Sequence, residues 1–213
     1  MKPPAYRRSK TGCRGQSMIE FCLIAMPVLM VLVFGALEMG SYIGCLNRMT
    51  ASAREGARMY MRWNIDASLG SASGDIQTRV VTPMMTSVVQ TGELSSSYKV
   101  VVSTLKRLDG PNRATSTPAN ANDDVIIIDK QFYYAGGTYG SGTYSRIGGV
   151  DSVLACNLPN GNPDTSKILT LDYLSTGETS VCVEIFRDYT TLTPLGKIIS
   201  GVTPTTVYDK CFF

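Results

Sequence analysis

The chain has 213 residues, 44% of them hydrophobic, and a mean hydropathy of +0.04, which suits one folded domain whose average is raised by a single apolar segment. The formal charge of +3 is unevenly placed: residues 1–15 hold Lys2, Arg7, Arg8, Lys10 and Arg14 and no acid, so residues 16–213 carry 15 bases against 17 acids, a net of −2. A nucleic-acid partner is therefore not expected, because its basic footprint has to lie on the folded part. The absence of histidine removes the usual general base, the usual zinc ligand and every Ser-His or Cys-His nucleophile pair.

The basic tail ends at Arg14-Gly15, and Gln16-Ser17-Met18-Ile19-Glu20-Phe21 opens an uncharged apolar run, FCLIAMPVLMVLVFGAL, that lasts from Phe21 to Leu37. These seventeen residues are the short end of a transmembrane span, which Met18, Ile19, Met39 and the segment 42–46 can extend. Five positive charges before the span put the N-terminus in the cytoplasm and the C-terminal bulk outside. Glu38-Met39-Gly40-Ser41 fits a secretory cleavage site poorly, so the segment reads as a retained anchor. Pro27 lies inside the run, where it removes one backbone hydrogen bond and favours a kink. Ala36, Gly40 and Gly44 recur at four-residue spacing as a small-xxx-small stripe that lets another helix come close; the alternative is that the glycines merely loosen the helix near the membrane surface.

Past Ser41 the helical pattern changes character. Arg54, Arg58 and Arg62 form one face, while Ala53, Gly56, Ala57, Met59 and Tyr60 supply smaller or apolar ones, and Glu55 can pair with Arg58. A helix continuous from Gln16 to Trp63 would be about 72 Å long, more than twice a bilayer core of roughly 30 Å, and would project as a stalk.

RGQSMIEF at 14–21, the apolar run with Pro27, FGALEMG at 34–40 and AREGARMY at 53–60 together resemble the TadE-like proteins, minor pilins (pseudopilins) of tight-adherence (Flp) pilus systems. The resemblance covers roughly residues 13–65. It implies cleavage by a prepilin peptidase between Gly15 and Gln16, and a mature chain in which Glu20 and Phe21 form the assembly contact. A carboxylate in apolar surroundings needs a cationic partner, and cleavage creates one in the new α-amino group of Gln16, on the same or a neighbouring subunit. The further partners implied are other Tad pilins, inner-membrane assembly proteins and membrane lipid. The implied location is a bacterial inner membrane with a periplasmic C-terminal domain, or the extracellular pilus.

The exported part follows as an α+β head. Gly70–Gly74 reads as a linker, and a second helix capped by Asp75 would run to Gly92, with Pro83 interrupting its pattern. Strands are expected at Tyr98–Leu108, Val125–Tyr134 and Thr179–Tyr189, with a fourth at Thr205–Phe213, pairing antiparallel against the stalk helix. The chain thus divides into a leader (1–15), a transmembrane and stalk helix (16–65) and a pilin-like head (66–213). Residues 136–178, rich in Gly, Ser, Thr, Asn and Tyr, read as a long irregular insertion where a functional loop would lie.

Of the six cysteines, Cys156, Cys182 and Cys211 lie in the exported part, where two can pair and one is left over; a Cys182–Cys211 bridge would close about 30 residues and stabilise by roughly 3–4 kcal/mol. Asn120, Asn122, Asp123 and Asp124, and separately Asn160, Asn162 and Asp164, offer oxygens to calcium, but neither set matches the EF-hand loop and such residues are common in turns, so no cofactor is expected. Tyr133, Tyr134, Tyr139 and Tyr144 suit a sticky surface or half-buried packing. The leading reading is a structural assembly protein without catalysis. The alternatives are a membrane-anchored periplasmic accessory or binding protein outside the filament, and an anchored carboxylate hydrolase, for which no paired-acid motif exists.

Overall fold

A computed structural model of the chain describes residues 14–62, 80–88, 98–108, 124–135, 138–139, 145–157, 162–193 and 206–213. They fall into two compact units, Met1–Ile43 with Thr191–Thr203, and Gly44–Thr190 with Pro204–Phe213. The architecture is α+β: a long N-terminal apolar helix followed by an antiparallel sheet.

The helix α1 spans Arg14–Arg62 and runs through Pro27 without interruption. Its second half is amphipathic in the literal sense. Cys45, Met49, Ala53, Ala57 and Tyr60 recur three or four residues apart and are all buried, while Arg54, Arg58 and Arg62 lie on the exposed side. The expected Glu55–Arg58 pair forms at 3.9 Å between exposed groups, worth a few tenths of a kcal/mol. A short helix α2 (Thr82–Val88) presents Met84 and Met85 to the interior, with Pro83 as its second residue; the rest of the expected segment from Asp75 to Gly92, apart from Val80 and Val81, lies outside the described residues.

Among the described residues six strands make the sheet: β1 (Tyr98–Leu108), β2 (Val125–Ala135), β3 (Thr138–Tyr139), β4 (Val153–Cys156), β5 (Thr179–Asp188) and β6 (Thr206–Phe212). The order is β3-β2-β1-β5-β6, with β4 also on the free edge of β2, and every pairing is antiparallel. The four expected strands are present within one or two residues of their expected ends; β3 and β4 come from the insertion. Period-two alternation assigns the faces. Thr104 meets Tyr60 of α1 through a 3.0 Å hydroxyl contact, so Tyr98, Val100 and Val102 share the helix side. At Thr104/Leu105 the register slips past Asp129, a bulge that keeps Leu105 opposite Ile128 on the other face.

That other face is covered by the insertion, which is less irregular than its composition suggests. Ile147, Leu154, Ala155 and Leu174 from it join Leu105, Ile126, Ile128 and Cys182 in one buried cluster. Arg107 fastens this layer by donating to the carbonyls of Leu171 and Leu174 at 3.0 and 2.8 Å and to Asp124 at 2.8 Å. Gly148 adopts φ +123° in the covering loop, where a Cβ would strike the Ser152 side chain, so this turn requires glycine.

Candidate functional site

The first half of α1 buries almost nothing. Met18, Ile19, Phe21, Leu23 and Ile24 are each about 70% exposed, and the apolar side chains continue outward through Leu37. This is a helix long and apolar enough to cross a membrane, with its apolar window unburied by the rest of the chain. It supports membrane anchoring, the only environment in which so much contiguous apolar surface is stable without a protein cover. Gly15 and Gln16 lie in the first turn of α1, and Glu20 lies one turn further on at the exposed surface. Phe21 borders a shallow apolar groove completed by Ala25, Val28 and Leu29, and Pro27 lies inside the same helical stretch. Ala36 and Gly40 are exposed, and a Cβ placed at Gly40 or Gly44 would meet open space, so the stripe is open to an approaching helix.

One residue that the sequence reading passed over, Glu38, carries the densest polar contacts of this unit. Its side chain is buried and accepts from the backbone N–H groups of Leu192 (3.1 Å) and Thr193 (3.0 Å) and from the Thr193 hydroxyl (3.0 Å). Consecutive backbone N–H groups aimed at one carboxylate form an anion-binding concavity. The local signal in FGALEMG was a lone acid next to an apolar run; its partner is 154 residues away in sequence and has no local trace.

In the head, AREGAR acquires a packing role at Gly56, where a Cβ would land on Met84 Sδ, so a larger residue there would force the buried Met84 side chain to move. Arg187 donates to Cys45 Sγ at 2.8 Å and lies over the Tyr98 ring at 5.2 Å, joining α1, β1 and β5. On the opposite face Glu184 is fully buried and accepts from Ser145 Oγ (2.5 Å), Tyr208 Oη (2.7 Å) and the Arg146 N–H (3.0 Å). Three donors satisfy the carboxylate, and Arg146 adds a guanidinium 4.4 Å over the Tyr208 ring. Beside it Gln131 donates to Ser103 and to the Gly148 carbonyl, and Tyr133 donates to Gln131. Burial and then the Glu184 carboxylate push both Tyr133 and Tyr208 above the usual tyrosine range, Tyr208 further because its hydroxyl donates to that carboxylate. The cluster is a structural anchor for the covering loop.

None of the three pairings open to Cys156, Cys182 and Cys211 forms, and among the described residues there is no disulfide. Cys182 stands opposite Phe212 while Cys211 stands opposite Val183, so the one-residue offset sends the two thiols to opposite faces of the sheet. Cys156, on β4, is separated from Cys182 by β2 and β1, three strand spacings or roughly 14 Å. Burial first, then Glu184, holds the Cys182 thiol far above its ordinary value, so it stays protonated. Of the two acid–amide clusters, Asp124 is engaged by Arg107, and Asp164 accepts from the Ser166 N–H and hydroxyl in an Asx turn. Asn120, Asn122, Asp123 and Asn160 lie outside the described residues, as do the Gly70–Gly74 linker, Asp75 and Tyr144; Tyr139 is placed by its backbone in β3.

Residues 15–58 match the family model of the TadE-like proteins. The matched segment opens at the glycine of RGQSMIEF, takes in the whole exposed apolar half of α1 with Glu20 and Glu38, and ends in the buried stripe of its second half. The TadE-like match connects the chain with Tad/Flp pilus systems and their components, and it takes in the apolar part of the candidate membrane-spanning helix. The sheet lies outside it. Comparison with curated proteins and with solved structures gives no significant match.

Proposed function

We propose that this chain is a minor pilin (pseudopilin) of a Tad/Flp type IV pilus used in adhesion, cut by a prepilin peptidase between Gly15 and Gln16 and held in the inner membrane by α1 with its head in the periplasm. The observation that carries the proposal is the coincidence, inside one TadE-like segment, of the RGQSMIEF sequence with an apolar half-helix left exposed by its own chain. A helix of that kind has two covers available, lipid before assembly and neighbouring helices after it. Glu20 supplies the polar element: in the mature chain its carboxylate pairs with an α-amino group created by the cut, which fixes the axial register of one subunit against the next. Ala36, Gly40 and Gly44 supply the close-approach face. The role involves no catalysis; binding free energy between helices and one charge contact suffice.

The test is complementation of a deletion strain with Glu20→Ala. Membrane insertion is expected to be normal while pili are lost; normal piliation would reject the charge-contact role.

A further inference from the structure

We propose that the turn Thr191–Thr193, clasped to α1 by Glu38, is a second membrane contact of this chain, with Leu192 seated in the interfacial layer of a lipid bilayer. The proposal rests on the anchoring of α1 in a membrane and is independent of whether the chain enters a filament.

The uncharged run Phe21–Leu37 is about 25 Å long at 1.5 Å per residue, short of a hydrocarbon core of roughly 30 Å. A bilayer that matches the helix therefore reaches the next residue, Glu38, and a bare carboxylate at that level is costly. The structure removes the difficulty. Glu38 is only 7% exposed, and its oxygens are covered by the Leu192 and Thr193 N–H groups and the Thr193 hydroxyl. With that charge enclosed, Phe21–Ile43 becomes a stretch of about 35 Å with no other Asp, Glu, Lys or Arg, enough to span with modest tilt.

The clasp also decides where Leu192 goes. It is 72% exposed, in the same compact unit as Leu37, Met39 and Ile43, which are themselves exposed on α1 at 53%, 61% and 49%. Four outward apolar side chains around an enclosed carboxylate continue the lipid-facing surface of the span past its nominal end. Lipid is therefore the occupant that the continuity of the surface favours.

The test uses the full chain in nanodiscs, with Trp63→Phe removing its one tryptophan and Leu192→Trp introducing a reporter. The indole at 192 is expected to emit at short wavelength and to lose most of its intensity to lipids brominated near the top of the acyl chain, with little loss to aqueous iodide. Quenching by iodide and not by bromolipid would overturn the proposal. Resistance to both quenchers would overturn it too, because it would mean that protein, such as a second copy, covers the site. Adding Glu38→Ala is expected to abolish the bromolipid quenching while helix content stays unchanged; persistent quenching would remove Glu38 from the account. If Glu38→Ala does not fold, Thr193→Val deletes one donor only, with partial loss expected and unchanged quenching counting against the clasp.

Discussion

Removing one hydroxyl from the head gives a sharp check on how its covered face is held. Tyr208→Phe keeps the ring, its 4.8 Å packing on Phe186 and the guanidinium of Arg146 above it, and deletes only the 2.7 Å hydrogen bond to Glu184. A hydrogen bond to a charged group contributes about 1.5–3 kcal/mol. Glu184 retains Ser145 and the Arg146 N–H, so the cost belongs at the lower end, about 1.5–2 kcal/mol, or a fall in Tm of roughly 3–8 °C for a chain of this size. Circular dichroism of the full chain in detergent, followed through thermal unfolding, reads this directly. The pH dependence gives the sign. Burial and Glu184 raise the folded-state pKa of Tyr208 above the unfolded value of about 10, so its contribution is complete below about pH 10 and is lost as the pH rises beyond that. The gap between wild type and variant should narrow in alkali. A variant as stable as wild type at neutral pH, or a gap that widens above pH 10, would refute the reasoning.

Two further substitutions and one labelling experiment probe other parts of the fold. Gly56→Leu should destabilise by about 1–3 kcal/mol through overpacking against Met84, and Met84→Ala should restore part of the loss; additive effects in the double variant would show that the two sites do not touch. In detergent, Cys182 should react with a thiol reagent only after denaturation, because burial keeps it a protonated thiol; fast labelling of Cys182 in the folded protein would contradict its placement. Gel mobility of the head should not change on reduction; a reductant-sensitive shift would contradict the placement of Cys182 and Cys211 on opposite faces.

Sequence pattern read well wherever the physics was local. β1 was legible because YKVVVSTLKRL alternates and is β-branched, and the buried stripe of α1 because Ala53, Ala57 and Tyr60 keep helical spacing. Strand β4 was not legible: four residues among Gly, Ser and Asn are too short to show a period, and their stability comes from pairing with β2. The cysteines illustrate a different limit. Loop length alone permits a Cys182–Cys211 bridge, and only the register, which shifts the two by one residue, forbids it. Glu38 was invisible for a third reason, since two of the groups that satisfy it are backbone N–H donors with no side-chain signature, and the third, the Thr193 hydroxyl, is 155 residues away.

The proposed function stands or falls on whether Gly15–Gln16 is cut. Intact mass spectrometry of the protein extracted from membranes of cells with an active prepilin peptidase measures this in one step. Loss of residues 1–15, leaving a chain that begins at Gln16 with Glu20 as its fifth residue, is the predicted result. Retention of Met1–Gly15 on the membrane-extracted protein would contradict it.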